Sequence, residues 1–156
     1  MNIKNLDEQH FKLPASELIQ QVNESRERTL ALVSDLEDSQ LTVPLVENVN
    51  PFSWELGHVA FFYEAFVLQI LDQTEALMEN ANDLYNSFEV EHNNRWGLPL
   101  PSREETLDYM RRTREMCVAR LDSHIPSAQE TYLYLLAVLQ EDMHGEAFTY
   151  RRQTLS

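Results

Sequence analysis

Glycine and cysteine are scarce in this sequence of 156 residues, which has three glycines, six prolines and one cysteine. The lone cysteine, Cys117, excludes an internal disulfide, and its apolar neighbours favour packing over a reactive thiol. Few glycines and few β-branched runs favour helices over a sheet. Because this length can bury one sizeable core but hardly two, we expect a single all-α domain over residues 1–156.

Basic residues are also few. The chain has 12 Lys and Arg against 26 Asp and Glu, which gives a formal net charge of −14. Such a surface repels nucleic-acid phosphates and anionic lipids, so we expect neither nucleic acid nor membrane as a partner. No apolar run approaches membrane-spanning length, and the N-terminus lacks the basic and apolar segments of a leader. We therefore expect a cytoplasmic protein.

Four helices are predicted, over residues 15–38, 53–79, 103–122 and 128–152. Capping boxes, in which a serine and a glutamate three residues later satisfy each other's backbone N–H groups, mark the last two at Ser102–Glu105 and Ser127–Glu130. Ser53 is the candidate cap of the second helix, after an Asn-Pro break.

The connection between the second and third helices spans about twenty residues without clear periodicity, far more than is usual in a bundle. Segments of this kind are commonly functional. The alternative is that the connection packs Phe88, Trp96 and Leu98 over one end of the bundle.

Polar side chains interrupt the apolar faces of the second and fourth helices. His58 lies on a stripe with Trp54 and Leu68, and Gln140 and His144 lie one turn apart on another. Burying each without a partner would cost about 1–3 kcal/mol. One shared metal ion would satisfy two imidazoles and an amide oxygen, but a hydrogen-bonded core accounts for the spacing equally well. Imidazole suits zinc, iron, nickel or copper, so the metal is left open.

A di-iron site is the rival interpretation of the same helices. Glu55 and Glu141 each stand three residues before a histidine, which is the Glu-x-x-His pair of di-iron bundles. Such a site also needs an inward glutamate from each of the other two helices, for which Glu24 and Glu115 are the candidates.

Two segments resemble a known family: "WELGHVAFFYEAFVL" at residues 54–68 and "QEDMHGEAFTYRRQTL" at residues 140–155. They resemble the DinB-like four-helix domain, specifically the version found in sulfoxide synthases of the ergothioneine-synthase type. The Asn86-Ser87 pair also fits. The resemblance covers nearly the whole chain, and it implies a DinB-like four-helix bundle with a long crossover between helices 2 and 3.

The resemblance also implies a metal site. Three histidines hold one metal in that family, iron in the sulfoxide synthases, and by position their counterparts are His58, Gln140 and His144. A glutamine thus replaces one family histidine. Its amide oxygen is a poorer ligand than imidazole, so we expect weaker binding of a divalent ion, with Fe(II) favoured by the resemblance and Zn(II) or Ni(II) as alternatives.

Two further residues are implicated by the resemblance. Glu146 matches an acidic residue that could hydrogen-bond a ligand or a bound water, although an exposed glutamate fits as well. Arg95 falls near the position where the sulfoxide synthases bind the carboxylates of a thiol substrate, although it also fits a surface charge. Those enzymes carry a C-terminal domain that is not part of this sequence, which is expected to be either a stand-alone relative or an excised N-terminal domain. We therefore do not expect complete sulfoxide-forming chemistry from it alone.

Two functional hypotheses follow. In the first, a DinB-like metalloprotein acts on a small thiol, as a metal-dependent thiol transferase or as part of an iron-dependent sulfoxide synthase. In the second, Gln140 records the loss of the metal, and the bundle is a metal-free module that binds partners or forms a homodimer.

Overall fold

The computed structural model describes residues 11–45, 47, 49–122, 124–153 and 155. Residues 1–10, where no leader is predicted, lie outside this range. The described part is helical and contains no strand, which confirms the all-α class. Its α-helices, numbered in chain order, are α1 (Ala15–Val33), α2 (Phe52–Tyr63, continued by a π-helical turn over Glu64–Leu68 and an α-helical turn over Gln69–Asp72), α3 (Ala81–Tyr85), α4 (Arg103–Arg120) and α5 (Ala128–Gln153).

The starts of α4 and α5 agree with the predicted capping boxes. Ser102 and Glu105 exchange hydrogen bonds at the first start, and Ser127 and Glu130 do so at the second. The predicted cap at Ser53 is wrong, because α2 begins one residue earlier at Phe52 and has no side-chain cap.

Two predicted helix ends are wrong. The first helix ends at Val33 rather than 38, because Glu37 and Gln40 form a capping box that starts a separate 3-10 helix over Asp38–Leu41. The second ends at Asp72 rather than 79, because Gln73 adopts a left-handed conformation with φ of 53°.

The crossover between α2 and α4 contains α3 and a 3-10 helix over His92–Trp96. Trp96 packs on the core and its Nε1 donates to the Val43 carbonyl at 2.7 Å, and Leu98 packs on the same cluster. Phe88 is 91% exposed, so its predicted packing over the bundle is wrong. The crossover therefore covers the bundle through part of its apolar side chains.

The four long helices form a bundle in which α1 packs mainly on α5 and α2 mainly on α4. Helix α2 also contacts α5, and its side chains from Trp54 to Ala60 are all buried. Cys117 is buried in the core as predicted, and burial raises the pKa of its thiol to about 12. Among the described residues, every helix is too short or too polar to cross a membrane.

A nearly buried ion pair fixes the start of α5. The Glu130 carboxylate accepts hydrogen bonds from Arg120 at 2.7 Å and from His124 at 2.8 Å, and it also accepts the Ser127 backbone N–H. Burial alone would raise the pKa of Glu130, but the hydrogen bonds from Arg120 and His124 outweigh it and lower the pKa to about 2.

The variant Glu130→Gln should keep the capping acceptor but lose the charge, and so reduce the free energy of unfolding at neutral pH by about 2 kcal/mol. Because the pKa of about 2 in the folded protein lies below the ordinary glutamate pKa of 4.5, the charge contributes fully above pH 4.5 and its contribution is lost as the pH falls toward 2. Urea unfolding of both proteins at neutral pH and between pH 4.5 and 3 measures the difference. A difference that stays constant over this range would contradict the assignment.

Candidate functional site

The structure brings the three predicted ligands together where α2 and α5 meet. The Gln140 side-chain nitrogen lies 3.0 Å from His58 Nε2 and 2.8 Å from His144 Nε2. The two imidazole rings lie edge to face, with centroids 4.9 Å apart. His58 is 5% exposed, while Gln140 and His144 are partly buried. One amide group therefore bridges both histidines.

The other ring nitrogens fix the tautomers of the histidines. His58 Nδ1 lies 2.8 Å from the Tyr85 carbonyl oxygen, and His144 Nδ1 contacts the Glu55 carboxylate. Both partners only accept hydrogen bonds, so each Nδ1 carries the proton. Each Nε2 then presents a lone pair to Gln140, and the amide NH2 group has one N–H for each.

Glu55 is a member of the site that the ligand pattern did not identify. Its side chain is 1% exposed, and its two oxygens contact His144 and Arg151. A buried carboxylate needs such partners, because desolvation without them would cost several kcal/mol. The available signal was a charged residue between Trp54 and Leu56 in a segment predicted to be core.

The amide oxygen of Gln140 is buried and has no hydrogen-bond partner among the described residues. A half-turn of the amide about its last torsion would exchange oxygen and nitrogen, and would direct three lone pairs to one point. Three lone pairs repel one another unless a cation lies between them. Two neutral imidazoles and an amide oxygen are suitable ligands for a divalent transition metal, so the residues fit such an ion.

The environment keeps His58 neutral. Burial and the nearby His144 lower the pKa of His58 to about 4, although the hydrogen bond to the Tyr85 carbonyl acts in the opposite direction. The neutral imidazole is the form that accepts a hydrogen bond or binds a metal. His58 therefore has its Nε2 lone pair available at neutral pH.

Arg95 is linked to the site by the aromatic ring of Trp54. Its guanidinium carbon lies 4.0 Å from the centroid of the Trp54 ring, which in turn stacks on His58 at 4.8 Å. Two of its nitrogens donate to Asn50 Oδ1 at 2.7 Å and to the Val90 carbonyl at 3.1 Å. Its Nε is buried and has no hydrogen-bond partner among the described residues.

Glu146 lies on the exposed face of α5. It is two residues beyond His144, which places it about 200° further round the helix. The hydrogen bond to a histidine that the resemblance suggested for this position is instead accepted by Glu55 from His144.

The di-iron interpretation is wrong, because its carboxylates have other partners. Glu24 is exposed and accepts from Gln20, and Glu115 is exposed and pairs with Arg111. Glu141 is buried in an ion pair with Arg26. The described part of the chain has no group of three or more His, Cys, Asp or Glu arranged to hold a metal, and the candidate site depends on an amide instead.

Comparison with known proteins agrees with this architecture. The model of the DinB superfamily matches residues 21–151. The chain belongs to the DinB superfamily. It is also 27% identical over 124 residues to the hercynine oxygenase of Mycolicibacterium smegmatis (strain ATCC 700084 / mc(2)155), an alignment that covers 78% of this chain and 28% of the relative. The chain thus spans little more than a quarter of that relative's length, and the family predicted from the residues is confirmed.

In this DinB protein, Gly57 permits the contact between His58 and the crossover. A Cβ atom at Gly57 would lie 2.1 Å from the Tyr85 ring, which is fully buried. Only a glycine allows Tyr85 to approach closely enough for its carbonyl to accept the His58 proton. At Gly145, by contrast, the nearest atom to an added Cβ is 3.7 Å away.

We expect Gly57→Ala to destabilise the protein by about 1–3 kcal/mol, because the buried Tyr85 ring has to move. Gly145→Ala is the matched control within a helix, and it should stabilise the protein by about 0.5–1 kcal/mol through its higher helix propensity. Urea unfolding of both variants measures the two effects. Equal effects at the two positions would show that the approach of Tyr85 does not depend on Gly57.

Proposed function

We propose that this DinB protein binds one divalent metal ion through His58, Gln140 and His144 and acts on a small thiol. The observation that carries the proposal is the convergence of two imidazole lone pairs on an amide whose buried oxygen has no hydrogen-bond partner among the described residues. Fe(II) is the proposed ion, in line with the resemblance to sulfoxide synthases, and Zn(II) or Ni(II) would suit the same ligands.

The residues behind the ligands hold them in the required form. The Tyr85 carbonyl and the Glu55 carboxylate accept the Nδ1 protons of His58 and His144, which fixes both rings with Nε2 facing inward. Outer partners of this kind orient metal-binding histidines and make them more basic. Arg151 compensates the charge of Glu55 and holds the carboxylate in place.

Gln140 would complete the ligand set by turning its oxygen toward the ion. Three protein ligands leave open coordination positions, as catalytic sites require. A divalent ion bound there would lower the pKa of a thiol and stabilise its thiolate. The protein's own contribution is to bind the thiol, keep the imidazole of His58 neutral and exclude bulk water from the buried face of the site.

Arg95 is the proposed contact for a carboxylate on the thiol. Its Nε is a buried donor without a hydrogen-bond partner among the residues that the structure describes. The ring of Trp54 contacts the Arg95 guanidinium and also stacks on His58. A carboxylate that accepted from Nε would place the rest of a small substrate on the side of the site near Trp54.

A second candidate function is a metal-free module. It is supported by the same amide, because Gln140 already satisfies both imidazole lone pairs without an ion. The cluster would then serve only to hold α2 against α5, and the protein would act by pairing as a homodimer. Exposed apolar side chains of α5, among them Leu139 and Met143, are the candidates for that contact.

Metal content distinguishes the two functions. After incubation with Fe(II) or Zn(II) and removal of excess metal, we expect about one equivalent per chain, lost in His144→Ala because Nε2 is a ligand. Gln140→His should bind more tightly than the native protein, because imidazole is the better ligand. Gln129→His, at an exposed position on the same helix, is the control and should behave as the native chain.

No metal in the native protein, together with metal gained in Gln140→His, would contradict the metalloprotein and support the metal-free module. Thermal unfolding of the same samples gives a second readout, because an ion that binds the folded state raises the unfolding temperature.

The role of Arg95 is tested with two thiols on the Zn(II)-loaded protein. Arg95→Gln should weaken the binding of cysteine by about tenfold, because a charge-assisted hydrogen bond is lost. It should leave the binding of cysteamine, which has no carboxylate, unchanged. Arg112→Gln, an exposed arginine of α4, is the control. An equal loss of affinity for cysteine and cysteamine would show that Arg95 does not recognise the carboxylate.

A further inference from the structure

A cavity of about 380 Å³ lies between α1 and α4, outside the histidine site. Since α1 packs mainly on α5 and α4 packs mainly on α2, the seam between α1 and α4 is incompletely filled. Its volume lies within the range of small-molecule pockets. Nothing in the proposed metal or thiol chemistry uses it.

The charge of the cavity is opposite to that of the protein. Four arginines line it, out of 12 basic residues in a chain of net charge −14, and none of the described residues that line it is acidic. Two of them are occupied: Arg103 donates to the Val33 and Leu36 carbonyls, and Arg111 pairs with acidic neighbours on its own helix.

The other two arginines have unused hydrogen-bonding capacity. Arg26 is 1% exposed; its Nε donates to Glu141 and one terminal nitrogen donates to the Met110 carbonyl. Its second terminal nitrogen is buried and has no hydrogen-bond partner in the part of the chain that the structure describes. Arg114 is partly buried and forms no hydrogen bond or ion pair with the described residues. Since Arg26 is fully buried and paired with Glu141, Arg114 is the arginine that a ligand in the cavity can reach.

Between these arginines the wall of the cavity is apolar. Val33 and Met110 are buried, and Leu30 and Leu107 are partly buried around the opening between the helices. A ligand that fits must therefore combine one anionic group with an apolar body. The free guanidinium of Arg114 matches a single carboxylate, which accepts hydrogen bonds through two oxygens.

We propose that this cavity binds an amphiphilic monocarboxylate, such as a medium-chain fatty acid. Its carboxylate is held by Arg114, and its chain lies against Leu30, Leu107 and Met110. The site is independent of the metal site, because the described residues that line it include neither His58, Gln140 nor His144.

The test is isothermal titration calorimetry of the full chain with decanoate below its micelle concentration. We expect saturable binding of one ligand per chain, and binding about tenfold weaker in Arg114→Gln because a charge-assisted hydrogen bond is lost. The neutral analogue decanol should bind the native protein and Arg114→Gln equally. Arg112→Gln removes the same charge from α4 but does not line the cavity, and it should bind decanoate as the native chain does.

A second variant tests the location without removing a charge. Leu30→Trp should fill the cavity and abolish decanoate binding while the far-UV circular dichroism stays native. The proposal is overturned if decanoate does not bind saturably, if Arg112→Gln weakens binding as much as Arg114→Gln, or if Leu30→Trp binds like the native protein. Unchanged decanoate binding in His144→Ala would separate this site from the metal site, whatever the outcome there.

Discussion

The hydrogen bond between His144 and the buried carboxylate of Glu55 is the contact on which the rest of the site depends. Glu55 lies on α2 with 1% of its side chain exposed, so its charge has to be compensated inside the bundle. Both compensating groups, His144 and Arg151, come from α5 and are about two turns apart. The carboxylate therefore fixes the position of α5 along α2. Once His144 donates its Nδ1 proton, its Nε2 lone pair can only face inward.

The crossover between α2 and α4 fixes the ring of His58, as Glu55 fixes the ring of His144. The Tyr85 carbonyl accepts the His58 proton, and the neighbouring Leu84 carbonyl accepts from Trp54 Nε1 at 2.7 Å. These contacts make the short helix α3 part of the site rather than a simple connection. With both Nδ1 atoms occupied, a single amide lies between two fixed lone pairs. The orientation of the Gln140 amide decides whether this residue is a metal ligand, through its oxygen, or a bridging hydrogen-bond donor, through its nitrogen.

The sequence predicted those features that depend on local spacing. Capping boxes located the starts of α4 and α5, and helical stripes brought His58, Gln140 and His144 to one place. The end of α2 was missed because Gln73 adopts its left-handed conformation without a glycine or proline to signal it.

Long-range partners could not be predicted in the same way. The sequence pattern drew attention to Glu55 only as the residue three positions before a histidine. Nothing in the sequence around Arg151 shows that Arg151 pairs with Glu55 on α2. The stacking of Arg95 on Trp54 likewise depends on how the crossover folds back. Such contacts are set by tertiary packing, which spacing along one helix does not reveal.

Nitrogen NMR of the two imidazoles tests the central claim most directly. The account predicts that in metal-free protein both His58 and His144 carry a proton on Nδ1, which donates to Tyr85 and Glu55 respectively, and leave Nε2 unprotonated toward Gln140. Addition of Zn(II) should then shift the Nε2 signals and leave both Nδ1 protons in place. A proton on Nε2 of either ring, or a shift confined to Nδ1, would contradict the inward convergence of the lone pairs.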